Sequence, residues 1–248
     1  MNRVELHFHL LPGVDDGPHD IPVALALARE AVGDGTRLVT CTPHAAHVDI
    51  AEVPARVREL QGVLRQAGID LEVRPGAELA WHDVPALSGA ELETIAQGPP
   101  GRRWLLLEAP LPGTGTPEGL AGSAHALRER GFAVLIGHPE RSPGLVRDPG
   151  AVDALLAAGD RLQVNASSLT GYHGAGARAA ALDLVLTGRA EVIASDAHQP
   201  RARGPRLSDA VEVLRREGMP APQAEVLVGA APRALLEDGF APRRRLAA

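Results

Sequence analysis

One phrase recurs along the chain and restricts its fold more than any other feature: a helix-period stretch, a glycine, one to three residues, then a short β-branched run. It reads REAVGDGTRLVTC (29–41), VLRQAGIDLEV (63–73), ALRERGFAVLIG (126–137), ALLAAGDRLQVN (154–165) and DLVLTGRAEVIAS (183–195). Glycine after a helix supplies the left-handed residue that ends it, and the runs that follow are apolar on both parities, as strands buried on both faces are. The helices are legible on their own periodicity as well. Val53, Val57, Leu60, Leu64 and Ala67 share one helical face, and Leu207, Val211 and Leu214 repeat the spacing near the C-terminus. With Val4–Leu6 and Trp104–Leu107 added, about seven strands alternate with helices, which predicts a parallel α/β barrel. At 248 residues, with no Ser/Gly linker or charged low-complexity run, the expected organisation is one domain over 1–248. The Pro/Gly-rich stretch from Pro110 to Gly119 reads as a strand-to-helix loop, and the chain from about residue 240, ending PRRRLAA, as a frayed end.

Composition narrows the chemistry. All 25 basic residues are arginine, so a Walker-type phosphate loop and amine-nucleophile catalysis are both excluded. The formal charge of −6 argues against a basic nucleic-acid surface. A single cysteine, Cys41, excludes an internal disulfide and fits a reducing compartment; the expected location is the cytoplasm. The start MNRVELHFHL is broken by charge and histidine, and apolar stretches such as Val23 to Ala28 are too short to cross a bilayer, so no membrane insertion is expected. Cys41 does not begin a thiol phosphatase loop, because the Cys-x5-Arg pattern would need arginine where His47 stands. Within a strand interior it reads as a small hydrophobe.

The histidines and acids fall at strand ends. His7 and His9 close the first strand, His44 follows the second, Glu78 the third and Glu108 ends the fourth; His138 follows the fifth, and Asp196 and His198 the seventh. In parallel α/β barrels those ends meet at one face, where active sites are built. Asp15 and Asp16, after the first strand, can add a ninth ligand. Singly each residue has an ordinary explanation: a loop cap, an ion-pair partner, a chance H-x-H. Together, an uncompensated cluster of carboxylates among histidines is costly unless cations fill it. Histidine with carboxylate and no thiolate suits Mn, Fe or Zn, and this many ligands implies two or three divalent ions, which favours phosphate-ester hydrolysis. Arg141 and Arg203 can supply guanidinium forks for phosphate, against plainer roles as a partner of Glu140 and as a member of a solvated run with Arg201 and Arg206.

The segments LHFHLLPGVDDGP, CTPH, GAEL, LLLEAP, GHPER, NASSLTG and SDAH, in that order, resemble the PHP (polymerase and histidinol phosphatase) domain. More narrowly they resemble its bacterial metal-dependent protein-tyrosine phosphatase branch, the CpsB/YwqE type associated with capsule and exopolysaccharide assembly, over residues 4 to 206 or so. The resemblance implies a distorted seven-stranded β/α barrel with a trinuclear site, often manganese. It implies His7, His9, Asp16, His44, Glu78, Glu108, His138, Asp196 and His198 as metal ligands, with Glu78 bridging, and Arg141 and Arg203 as catalytic phosphate-binding cations. It further implies attack by a metal-bound hydroxide in line with the leaving phenolate, without a phosphoenzyme. Asp15 is expected as a turn residue or the partner of a ligand, and Asn165 as a residue facing the site or fixing loop backbone. The loops depart from the pattern: AAHVDIAEV after His44 is short, and Gly171–Tyr172–His173–Gly174 interposes a histidine. His47 is read as an exposed loop residue or a substrate contact; His19, His82, His125 and His173 are read as polar surface residues.

The expected function is therefore metal-dependent phosphomonoester hydrolysis, with a phosphotyrosine protein as substrate and the tyrosine-rich tail of a bacterial tyrosine kinase as the implied partner. A phosphoesterase acting on histidinol phosphate or nucleotides keeps the same site with another substrate. A non-catalytic module that docks a phosphorylated tail predicts metal without turnover. Three divalent ions would bring the formal −6 to about zero, so an acidic chain can present a cationic pocket.

Overall fold

The computed structural model describes residues 2–200 and 203–240; the expected frayed end and Arg201 lie outside them. Eight strand segments run β1 Arg3–Phe8, β2 Thr36–Cys41, β3 Glu72–Pro75, β4 Glu78–Ala80, β5 Trp104–Glu108, β6 Ala133–Gly137, β7 Arg161–Asn165 and β8 Val192–Ala194. Between them lie α1 Ile21–Gly33, α2 Val53–Gln66, α3 Gly89–Ile95, α4 Pro117–Glu129, α5 Pro143–Arg147, α6 Pro149–Ala157, α7 Ala166–Leu169 and α8 Gly174–Leu186. The helices α9 Leu207–Arg216, α10 Ala221–Val228 and α11 Ala230–Asp238 follow β8. The glycine that follows the helix within each recurring phrase, at 35, 68, 131, 159 and 188, has φ between 68° and 96°, the left-handed region that stops a helix.

All strand pairs are parallel. They form a sheet β1-β2-β3 and a sheet β4-β5-β6-β7-β8. Isolated bridges His44↔Glu78 and Phe8↔Ala197 join the two sheets on both sides. The result is a barrel-type α/β fold whose two sheets are bridged at the C-terminal ends of their strands.

The third of the seven predicted strands is β3, and the chain after it, where Glu78 is expected to follow the strand, forms a further short strand, β4. At Gly76 the chain presses on β2: a Cβ there would lie 2.6 Å from Thr40 Cγ2 and 3.3 Å from the Cys41 carbonyl oxygen. The ladder with β2 therefore ends at Cys41↔Pro75, and Glu78 N donates instead to Pro43 O at 3.0 Å. This step carries Glu78 over the strand ends.

Alternation sorts the side chains. Trp104, Leu106 and Glu108 share one face of β5, so that face is apolar where the strand starts and acidic where it ends. Leu105 and Leu107, on the other face, pack in one cluster with Leu120, Ala124 and Leu127 of α4. Trp104, Leu106, Leu38, Leu135 and Val192 form a separate cluster with Leu235 and Leu236 of α11. Trp104 is fully buried, and its Nε1 donates to Leu235 O at 2.9 Å, fixing α11 across the end of the ring remote from the histidines. Val53, Val57, Leu60 and Leu64 are the buried face of α2, and Leu207, Val211 and Leu214 that of α9, as their periodicity predicts. Cys41 is the last residue of β2 rather than an interior one; burial pushes its thiol pKa up, which leaves it inert as a nucleophile. Among the described residues no helix is long and apolar enough to cross a membrane.

Candidate metal centre

The side chains that the sequence singles out at strand ends converge at the joined edge of the ring. Glu78 is the hub. Its Oε1 lies 3.1 Å from both His7 Nε2 and His138 Nε2. Its Oε2 lies 3.3 Å from His9 Nε2 and 3.1 Å from His44 Nδ1. Asp196 Oδ1 lies 3.3 Å from His7 Nε2 and 3.5 Å from both His9 Nε2 and His198 Nδ1. Asp16 Oδ1 is 3.0 Å from His198 Nε2 and 3.5 Å from His44 Nε2. Glu108 stands further off, with Oε1 3.8 Å from His138 Nε2, and is the outlying member of the set.

Three groups have ligand atoms within 4.8 Å of one another: His9, Asp16, His44 and His198; His7, Glu78 and His138; His7, His9 and Asp196. Two ligands held about 2.1 Å from one cation, at tetrahedral or octahedral angles, stand about 3.0–3.4 Å apart. The four distances around Glu78 match that spacing, as does the 3.3 Å from Asp196 Oδ1 to His7 Nε2. His198 Nε2 is buried and not aligned for a hydrogen bond with Asp16 despite its 3.0 Å approach. His138 Nδ1 is buried without a partner. A donor set of histidine and carboxylate with an orphaned ring nitrogen fits divalent metal.

Burial opposes protonation of His7, yet the adjacent Glu78 and Asp196 carboxylates outweigh it and raise its pKa to about 10. His44 is raised to about 9, against burial, by Asp16 and Glu78. Burial works against ionising Glu78, but His7 and His138 hold its pKa well below the ordinary carboxylate range. Glu108 moves the other way, to about 7, through burial and repulsion by Glu78. Two residues here occupy the left-handed backbone region, His138 at φ 37° and Asp196 at φ 51°. Such strain persists where surrounding structure imposes it, and both positions belong to this cluster.

The outer faces of the histidines are also held. Asp15 lies buried with Oδ2 2.7 Å from His9 Nδ1, and it accepts from His44 N at 3.0 Å and Gly17 N at 3.0 Å. It thus orients His9 instead of facing the other ligands. Asn165 Nδ2 donates to Asp196 Oδ2 at 2.9 Å. Arg141 does not pair with Glu140: its Nη1 donates to Asp196 Oδ2 at 2.8 Å. Arg203 bridges Asp196 Oδ2 at 3.0 Å and Asp16 Oδ2 at 3.3 Å. Both arginines line one pocket of about 220 Å³ with Asp16, His44, Glu78, Glu108, Leu111, His138 and Asp196.

Gln163 escapes the sequence motifs, and Glu140, within GHPER, is read from the sequence only as a partner for Arg141. Gln163 of β7 places Oε1 2.9 Å from His7 Nδ1. Glu140 is buried, accepts from Asn165 N at 3.0 Å and Ser168 Oγ at 2.6 Å, and so anchors the turn from His138 to Arg141 onto β7 and α7. For Gln163 the available signal is a polar residue inside a strand expected to be buried on both faces, which must find a partner. His173 corrects an expectation. It is half-buried, with Nε2 3.1 Å from Ser167 Oγ, and burial together with Arg141 lowers its pKa to about 4. His47 is exposed, its ring 5.7 Å from that of His44. His19, His82 and His125 are exposed, as expected.

Known proteins resemble this chain in sequence and in fold. The chain is 29% identical over 218 residues to the tyrosine-protein phosphatase YwqE of Bacillus subtilis, covering 86% of this chain and 84% of that protein. It is 30% identical over 201 residues to the putative tyrosine-protein phosphatase CapC of Staphylococcus aureus, covering 79% and 76%. A crystal structure from the pair YwqE of Bacillus subtilis and CpsB of Streptococcus pneumoniae, described as unique metal-dependent tyrosine phosphatases, superposes with a TM-score of 0.76 at 28% identity, covering 91% of this chain and 94% of that one. A probable 2-pyrone-4,6-dicarboxylic acid hydrolase of Acinetobacter baumannii, at 13% identity and a TM-score of 0.57, shares the fold. Residues 3–237 match the family model described as capsular polysaccharide synthesis, CpsB/CapC, and the chain belongs to that family.

Proposed function

We propose that this protein is a metal-dependent protein-tyrosine phosphatase. The observation that carries the reading is the Glu78 carboxylate, which meets His7 and His138 on one oxygen and His9 and His44 on the other, beside two arginines gathered at Asp196. In this reading His7, His9, Asp16, His44, Glu78, Glu108, His138, Asp196 and His198 hold two to three divalent ions, manganese being the first choice. Bound there, such ions neutralise phosphoryl charge and make water acidic enough to attack at neutral pH.

The chain's own residues do the rest. Arg141 and Arg203 turn their guanidinium groups from Asp196 to the phosphoryl oxygens, exchanging one charge-assisted hydrogen bond for another. Asp15 holds His9 by its outer nitrogen, and Asn165 holds Asp196 by its outer oxygen. Leu111 and the buried side chains around Glu78 limit bulk water at the reacting phosphorus. The substrate is a phosphotyrosine protein, with a tyrosine-rich kinase tail as the partner, acted on in the cytoplasm by one domain spanning 1–248.

The test is a turnover panel on manganese-reconstituted protein with phosphotyrosine peptides, histidinol phosphate and short oligonucleotides. Phosphotyrosine should be preferred. Arg141→Ala should lower kcat/KM by about 10- to 150-fold, the equivalent of one charge-assisted hydrogen bond of about 1.5–3 kcal/mol. Preference for histidinol phosphate would overturn the substrate, and bound metal without turnover would overturn catalysis.

A further inference from the structure

β7 delivers no residue to the proposed ligand set, yet it lies directly beneath it. His7 faces the cluster with Nε2, 3.1 Å from Glu78 Oε1 and 3.3 Å from Asp196 Oδ1, and turns Nδ1 to Gln163 Oε1 at 2.9 Å. Gln163 Nε2 reaches Asn165 Oδ1 at 2.8 Å, and Asn165 Nδ2 reaches Asp196 Oδ2 at 2.9 Å. All four side chains are buried.

The direction of every bond in this chain follows from its far end. Asp196 Oδ2 already accepts from Arg141 and Arg203, and a carboxylate there has no proton to give. Asn165 must therefore present its amide nitrogen to Asp196 and its oxygen to Gln163. Gln163 must then present its own nitrogen to Asn165 and its oxygen to His7. His7 Nδ1 consequently carries a proton. Flipping either carboxamide would set two acceptors or two donors against each other in a dry site, where an unmet polar group is costly.

We propose that Gln163 and Asn165 form a one-way carboxamide relay that fixes His7 as its Nδ1–H tautomer and so leaves Nε2 free to ligate. They are positioning residues. The same relay occupies the outer oxygen of Asp196, so that Oδ1 is the oxygen turned to His7, His9 and His198. The inference rests on the reading of this cluster as a metal centre. It assigns β7 a role distinct from that of the ligand-bearing strands.

The experiment uses full-length protein loaded with Zn²⁺, a diamagnetic probe, and labelled with ¹⁵N at histidine. Imidazole ¹⁵N spectra, with His7 identified by its loss in His7→Ala, should show its Nδ1 protonated and its Nε2 metal-bound. Chelator competition should show that Gln163→Leu weakens Zn²⁺ binding by about 10- to 100-fold, the usual loss when a histidine ligand's outer partner is removed. Gln163→Glu, which keeps an acceptor for His7, should retain the Nδ1–H tautomer. A merely structural role predicts that Leu and Glu behave alike. Equal behaviour of the two variants overturns the proposal, as does coordination of His7 through Nδ1 in the wild-type protein, a result that needs no variant to fold. Absence of Zn²⁺ binding by the wild-type protein overturns the metal reading and this inference with it; wild-type binding with an unchanged Gln163→Leu overturns the relay alone.

Discussion

Gly76→Ala tests how the break between β3 and β4 places the hub of the cluster. The added Cβ would sit 2.6 Å from Thr40 Cγ2, 3.1 Å from Gln97 Nε2 and 3.3 Å from the Cys41 carbonyl oxygen. The Gln97 amide can shift, but Thr40 is a β-branched residue in a strand paired on both sides, and Cys41 O belongs to the backbone. Relief therefore requires a movement of close to 1 Å at a buried crossing, an overpacking that costs about 1–3 kcal/mol. For a chain of this size that lowers Tm by about 2–12 °C. The movement falls two residues before Glu78, whose oxygens meet four histidines within 3.3 Å, so retention of metal should fall with stability. Calorimetry and elemental analysis of manganese-loaded protein measure the two effects. Thr40→Ser removes the offending methyl while keeping the hydroxyl, so Gly76→Ala/Thr40→Ser should recover part of both losses, with a coupling of about 0.5–3 kcal/mol. A Gly76→Ala protein with wild-type Tm and wild-type metal content would refute this account of the break, and strict additivity with Thr40→Ser would refute the named contact.

Chelation supplies a second test. Removing metal present at 100 times its dissociation constant forfeits about 2.7 kcal/mol of linkage, so EDTA should lower Tm by about 5–11 °C and excess Mn²⁺ should restore it. A Tm indifferent to EDTA would contradict metal binding to the folded state. Glu140 supplies a third. Burial raises its pKa from 4.5 to about 7, against the hydrogen bonds from Ser168 and Asn165, so the folded protein keeps a proton that the unfolded chain has given up. Its contribution is thus fully present below about 4.5 and is lost as pH rises through about 7. Glu140→Gln keeps an acceptor for Ser168, and denaturant titrations across that window should show a flatter pH profile for the variant; an unchanged slope would remove Glu140 as its source.

The alternating pattern and the placement of His7, His44, Glu108 and His138 after apolar runs could be read from the chain because both depend on local spacing. The need for glycine at the break could not, since the Thr40 methyl that a Cβ would meet is brought there only by the folded sheet. Arg141 beside Glu140 invites a neighbour pairing, yet the turn after His138 sends the arginine to Asp196 and the carboxylate to Ser168. His173 looks like loop surface and is instead pressed beside Ser167 by the segment entering α8. Gln163 carries no motif at all. Its importance lies in the direction of its amide, which depends on Asn165 in its own strand and on Asp196 at the end of the next.

Backbone bridges between the two sheets lie at the mouth of the ring. His44↔Glu78 closes one seam and Phe8↔Ala197 the other, with His9 N donating to Ala197 O at 3.0 Å and Asp196 N to His7 O at 3.0 Å. Each clasp is made of the residues that carry the cluster or of their immediate neighbours. Whatever draws those side chains together also draws the two half-barrels together, and whatever parts the sheets pulls the cluster apart. Assembly of the centre is thereby coupled to these two seams, and the amides of Glu78, His9 and Asp196 are the hydrogen-exchange probes that report it.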